Sequence, residues 1–236
     1  MVILILGLLM TFLGPSLAAA LKQAYRSTCK TNLRELARAC TSYAGEGTLH
    51  RGGTRYALPN SSPTTTNWGS LTEGNSAALW LLVEHGYAGT SLFYCPGAGL
   101  NRGFDEPAED GIGYPHTPVE ERTEFTATTI SYSYISTVDS AYATTTVADE
   151  SSLVILADQN PRCTLGVMGV GGVPLAANAG DNSLNHGGDG QVVARLDASV
   201  KWIEEPTGDG DDIYASTSAE EAQGKRGSRS DVFVIP

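Results

Sequence analysis

Charge is scarce in this chain. Asp, Glu, Lys and Arg make up 17% of its 236 residues, where about 25% is usual for a cytosolic protein. Ser, Thr and Gly fill the gap, which fits an exported, loop-rich protein. Basic residues are the scarcer kind: 15 Lys and Arg stand against 26 Asp and Glu, for a net charge of −11 and a pI near 4.7. Such a surface repels phosphate backbones, which excludes nucleic acid as a partner, and it attracts divalent cations. Catalytic signatures are also missing: there is no G-x-S-x-G and no H-E-x-x-H. His186 and Asp189 share a Gly-rich loop and Asp158 ends an apolar run, but no nucleophile motif accompanies them. The enzyme reading therefore lacks a constellation, and His186 is expected to bond loop backbone and fix a turn. The four cysteines, Cys29, Cys40, Cys95 and Cys163, form no C-x-x-C pair and have no histidine near them in sequence. Structural zinc is not expected on that pattern. An even count in an exported protein permits disulfides; connectivity stays open, as does the alternative of buried free thiols.

The N-terminus carries the strongest positive signal. MVILILGLLMTFLGPSLAAAL, residues 1–21, has no charged side chain. Its length is close to the ~20 residues that cross a bilayer core as a helix. After Lys22 the pattern turns amphipathic without a break. Leu21, Tyr25, Cys29, Leu33, Leu36, Cys40 and Tyr43 recur at spacings of four and three, which is one helical face. Lys22, Arg26, Lys30, Arg34 and Arg38 lie off it, and Gly45 and Gly47 offer stops. One continuous helix over residues 1–45 is expected, roughly 65 Å long, followed by a globular head over residues 46–236. Three roles compete for the apolar run. A cleaved secretory signal fits the small residues Ser16 to Ala20 but lacks a positive n-region. An ordinary anchor meets an orientation problem, because the positive charges follow the span. The third is a stem that assembles with other copies.

The head is read more coarsely. Residues 50–75 and 98–124 are rich in turn formers and read as loops. Asn75 and Ser76 are placed to cap a helix that Gly86 ends. Residues 92–95 (LFYC), 129–135 (TISYSYI), 153–157 (LVILA) and 231–235 (DVFVI) read as strands, and residues 191–196 and 199–204 as a hairpin about Asp197 and Ala198. The direct hairpin predicts an at least partly antiparallel sheet. The expected fold class is α+β: a long N-terminal helix, half membrane stem and half amphipathic, packed on a mainly antiparallel sheet with long loops.

The segment with Gly7, Pro15 eight residues on, and the polar run Cys29-Lys30-Thr31-Asn32-Leu33-Arg34-Glu35-Leu36 resembles the stem of type IV pilins and type II secretion pseudopilins, whose head-proximal turn often reads C-x-x-N-L-x-x-L. The head is similar to pseudopilin-like families that end in a histidine, about nine residues, then Asp-Gly. Here that motif is His186 to Asp197, with Trp202 beyond it, and the Phe93-Tyr94-Cys95-Pro96, Ile130-Ser131-Tyr132-Ser133-Tyr134, Ala157 to Pro161 and Gly210 to Tyr214 segments match as well. The His-to-Asp spacing is one residue longer than the family's, and Ala198 replaces its glycine. The family's basic leader, cleavage glycine and acidic fifth mature residue are not in the sequence; aligning Gly7 and Pro15 implies that several mature residues precede Met1, the acidic one among them, and a genuine leaderless variant is the alternative.

The resemblance implies a structural subunit of a pilus or pseudopilus. It would sit single-pass in a bacterial inner membrane with its head in the periplasm or on the cell surface. Other pilin-like subunits and a secretion or pilus assembly machinery would be its partners. Leu6, Gly7, Leu9, Phe12, Gly14 and Pro15 would form the assembly helix; Pro15 either removes a backbone hydrogen bond and loosens the helix locally or is simply a proline tolerated in a membrane helix. The alternative is an exported, non-polymerising module that binds carbohydrate or protein. Asp209, Asp211 and Asp212 cluster hard oxygen ligands suited to calcium, and some major pseudopilins hold calcium in a C-terminal loop. The run lacks the Glu of an EF-hand loop, and a solvated acidic turn is the competing reading. Tyr132, Tyr134, Trp68, Trp80 and Trp202 could line a sugar-binding face, but aromatics at strand spacing more often pack in the core.

Overall fold

The computed structural model describes residues 2–46, 57–60, 75, 77–98, 130–138, 144–161, 182–208, 210–215, 226–232 and 234–235, with the backbone alone for residues 2–15 and for residue 184. The first element, α1, runs unbroken over Val2–Glu46, roughly 68 Å at 1.5 Å per residue. Pro15 and Gly14 therefore do not interrupt the element. From Ser16 to Ala24 every residue of α1 is exposed, Leu17 (62%) and Leu21 (44%) included. Burial begins at Cys29 and follows the predicted stripe through Leu33, Leu36 and Cys40, joined by Ala37 and Ala44. The small residues let the helix approach the sheet closely, while Leu33 and Leu36 fill the space between them.

The sheet has five strands: β1 Tyr132–Ile135, β2 Val154–Asp158, β3 Gln191–Arg195, β4 Val200–Ile203 and β5 Val234–Ile235. They lie in the order β4-β3-β2-β1-β5, and every pairing is antiparallel. The fold is thus α+β, as the sequence predicts, with α1 laid chiefly over β3. The expected hairpin is β3–β4, with Gln191 opposite Ile203 and Ala194 opposite Val200. The apolar run at 153–157 forms the central strand β2, buried along its whole length. Tyr132 and Tyr134 are fully buried, so they belong to the core and not to a sugar-binding face; Trp80 is partly buried against that core, and Trp68 lies outside the described residues.

Two local expectations are corrected. Residues 92–95 do not form a strand: Thr90–Phe93 is a 3-10 helix and Tyr94 is extended. The segment contributes to the core through Phe93 and Cys95, which a single tight turn achieves without a sheet partner. Ser76 lies outside the described residues, and Asn75 does not cap α2 (Ala77–Glu84) with its side chain. Its backbone oxygen accepts from Ala78 N (3.1 Å). Its amide instead donates to Tyr134 O, Ile135 O and Ile235 O, and its Oδ1 accepts from Thr137 N and Oγ1. A buried asparagine thus joins β1 to β5 at the sheet edge, where backbone groups would otherwise lack partners. Gly86, at φ 76°, ends α2 as expected.

Among the described residues no helix is long and apolar enough to cross a membrane. The side chains of Leu6, Leu9, Phe12 and Pro15 lie outside those described.

Candidate functional site: the junction of the stem helix and the histidine turn

The C-x-x-N-L-x-x-L turn of α1 is where helix and head are tied together. Cys29 forms a disulfide with Cys95, with Cα atoms 5.5 Å apart and a sequence separation of 66. Closing a loop of that length removes about 4 kcal/mol of denatured-chain entropy. One turn on, Asn32 Nδ2 donates to Tyr94 O (3.0 Å) and to the Tyr132 hydroxyl (3.4 Å). Two segments that the sequence singles out separately are therefore direct partners. Cys40 is the free cysteine among the described residues, fully buried, and burial pushes its thiol up to about 12. Cys163 lies outside the described residues.

His186 closes a short 3-10 turn, Leu184–His186, and its ring turns inward. Nε2 stands 3.6 Å from Cys95 Sγ and 3.4 Å from Asp158 Oδ2. The expectation that His186 serves loop backbone is thus corrected in its emphasis: the imidazole is buried in the helix–sheet junction and fixes more than its own turn. Gly97 makes room for it, because a Cβ there would meet His186 Nδ1 at 2.8 Å. Asp158 is fully buried at the end of β2. Oδ2 accepts from Val192 N (2.7 Å) and Oδ1 from Asn185 Nδ2 (3.1 Å). Burial pushes the Asp158 carboxyl up to about 7, against the pull of those two donors. Burial likewise takes His186 down to about 4, helped by the Arg26 charge and opposed by Asp189. At neutral pH the imidazole is therefore uncharged.

The rest of the histidine motif reaches back to the stem. Trp202, on β4, meets the His186 ring edge-on at 5.3 Å and carries the Arg26 guanidinium over its face at 4.1 Å. Asp189 Oδ2 accepts from Arg26 (2.8 Å) and Lys22 (3.2 Å). Gly190, at φ 144°, lies so close to Trp202 that a Cβ would meet Cζ2 at 2.7 Å. Asp197 stays at the β3–β4 turn, away from this junction, where its Oδ1 accepts from Ser199 N (2.8 Å). Ala198 occupies the left-handed conformation, φ 61°, so the turn keeps the backbone that a glycine would favour.

Asp209 lies outside the described residues. Asp211 Oδ2 accepts from Val232 N (2.9 Å) and Asp212 Oδ1 from Tyr214 N (3.1 Å), so both carboxylates organise backbone around the C-terminal strand. Sequence reasoning missed the convergence of Cys29, Cys95, Asp158 and His186, the metal-capable group among the described residues. Each was named, but as parts of separate segments. Comparison of the chain with protein-family profiles, with curated proteins and with solved structures finds no match.

Proposed function

We propose that the chain is a structural subunit of a pilus-like or pseudopilus filament, built on the pilin plan that its motifs resemble. The observation that carries this reading is the division of α1. One face of its second half is buried on the sheet from Cys29 onward, and the stretch before it, Ser16 to Ala24, is exposed, Leu17 and Leu21 included. A long helix that presents apolar side chains beyond its own domain needs a partner to remove them from water. A bilayer supplies that partner before assembly and equivalent helices supply it afterwards. Single-pass insertion in an inner membrane is part of the proposal and rests on the apolar sequence of residues 1–21. Leu6, Gly7, Leu9, Phe12, Gly14 and Pro15 are the assembly segment, and other pilin-like subunits and an export or assembly machinery are the partners. The Cys29–Cys95 disulfide and the Arg26–Trp202–Asp189 contacts support the reading, because force along a filament would pass between stem and head at this junction.

Replacing Leu6 or Leu9 with Asp is expected to abolish filaments seen by electron microscopy while the head keeps its disulfide and its circular dichroism. Normal filaments from these variants would contradict the helix-core mechanism. N-terminal sequencing of the mature protein from native envelopes separates the competing role: a terminus near Lys22 would make this a released module and end the filament reading.

A further inference from the structure

Cys29 Sγ, Cys95 Sγ, a carboxylate oxygen of Asp158 and a ring nitrogen of His186 all lie within 4.8 Å of one another, and all four residues are buried. They come from four separate segments: α1, the turn after the first 3-10 helix, β2 and the turn before β3. The separations from His186 Nε2 are 3.6 Å to Cys95 Sγ and 3.4 Å to Asp158 Oδ2. A tetrahedral zinc ion takes nitrogen at about 2.0–2.1 Å, sulfur at about 2.3 Å and carboxylate oxygen at about 2.0–2.2 Å. Around one such ion, a nitrogen and a sulfur stand roughly 3.5–3.6 Å apart and a nitrogen and an oxygen roughly 3.3–3.5 Å. Two edges of the coordination tetrahedron, both meeting at His186 Nε2, thus already have the spacing of ligands around one ion, and Cys29 Sγ is bonded to one of those donors, Cys95 Sγ.

We propose that this junction is a zinc-class metal site in the reduced protein, and that metal and disulfide are mutually exclusive occupants of it. The ligands are the thiolates of Cys29 and Cys95, His186 Nε2 and Asp158 Oδ2. The surroundings hold those ligands in place. Val192 N and Asn185 Nδ2 orient the carboxylate, and the Trp202 ring packs edge-on against the imidazole, which is the role outer partners play at metal sites. The partners of the buried carboxylate, two N–H donors and an imidazole, bring it no full charge, so a cation supplies the charge that burial otherwise lacks.

The exchange needs a two-electron reductant of the dithiol class. Its two sulfurs give up two electrons, lose their protons and close to a disulfide of their own. The Cys29–Cys95 bond breaks, and the electrons stay on two thiolates that bind the cation, so two protons are released for each metal taken up. The proposal does not rest on the filament reading; it concerns the head whatever the stem does.

The test uses the full chain in mild detergent, either oxidised or reduced with a water-soluble phosphine. The phosphine takes an oxygen from water, becomes its oxide and leaves two thiols. Cobalt(II) serves as the coloured stand-in for zinc. The reduced chain is expected to take up one cobalt, with the intense visible bands of a tetrahedral ion and a thiolate-to-cobalt charge-transfer band that zinc abolishes. The disulfide form is expected to show none of this. His186→Ala and Cys29→Ser should each weaken uptake by more than the roughly 10–100-fold that a lost outer partner costs, whereas Cys40→Ala should change nothing. If the reduced, metal-free chain unfolds, stoichiometric zinc should restore its circular dichroism. X-ray absorption at the zinc edge of the wild-type reduced chain should count two sulfurs, without recourse to any variant. Absence of the charge-transfer band, a different sulfur count, indifference to His186→Ala, or failure of zinc to refold an unfolded reduced chain would each overturn the proposal.

Discussion

The guanidinium carbon of Arg26 lies 4.1 Å from the centroid of the Trp202 ring, so a cation on the stem helix stacks on an indole of the second hairpin strand. Asp189, in the turn between His186 and β3, reaches the same guanidinium at 2.8 Å. Ring and carboxylate together hold α1 at the point where it leaves the sheet.

Arg26→Ala removes the cation from the ring and from Asp189. The stacking is partly desolvated and contributes about 1–2 kcal/mol, while the half-exposed ion pair adds little. The expected loss on urea unfolding is therefore about 1–2 kcal/mol, with faster amide exchange along residues 22–28. Arg26→Lys should keep the ion pair and lose most of the stacking. Equal stability of Arg26→Ala and wild type would show that the stack is incidental.

Ala198 holds a left-handed backbone, φ 61°, at a cost of roughly 1–2 kcal/mol relative to glycine. Glycine gives back part of this through the greater freedom of the unfolded chain. Ala198→Gly is therefore expected to stabilise the protein by about 0.5–1 kcal/mol, and Ala198→Val to destabilise it by more. Thermal unfolding of the three proteins orders them directly; a Val variant as stable as wild type would refute the account of the turn.

Asn75 satisfies carbonyls of both β1 and β5 and the Thr137 amide at full burial. Asn75→Ala strands these groups together, so a loss on the order of 3 kcal/mol is expected. Hydrogen exchange should localise the damage to β5 and the end of β1. An undisturbed β5 in that variant would count against Asn75 as the tie.

Asp158 and His186 make a pH prediction for the disulfide form. Burial raises Asp158 from 3.8 to about 7 and lowers His186 from 6.5 to about 4. Between about pH 4 and 6.5 the unfolded chain carries its proton on His186 and the folded chain carries it on Asp158. Both states bind one proton, so the pair contributes no slope there. From 6.5 through 7 only the folded chain still holds a proton, and stability falls as pH rises. His186→Gln removes the compensation. Asp158 alone then lowers stability steadily as pH rises from about 4 to 7, by on the order of 4 kcal/mol in total. Urea unfolding under non-reducing conditions at several pH values compares the two profiles; parallel curves would refute the coupling.

The elements of this protein are largely legible in its sequence. The stripe from Cys29 to Cys40 predicts the buried face of α1, because a helix repeats its neighbours at three and four residues whatever lies opposite. The apolar run at 153–157 predicts a central strand, and Asp197-Ala198 predicts a hairpin, because turn and strand signals are local. Residues 92–95 mislead for the same reason: two aromatics in an apolar run suit a strand, yet a four-residue segment needs a pairing partner to become one, and this one is not among the strands of the described sheet. Asn75 misleads because a capping side chain and a buried tie look alike in one dimension.

The junction itself was decided by tertiary structure. Sequence placed Cys29 on a helix face, Cys95 in a turn, Asp158 at a strand end and His186 before a hairpin. It could not say that they meet, since contact between segments far apart in the chain depends on how the sheet is ordered and where α1 crosses it. Nor could it say that burial would leave His186 neutral and Asp158 protonated at mildly acidic pH. Desolvation is a property of the packed surroundings, and no residue carries it alone.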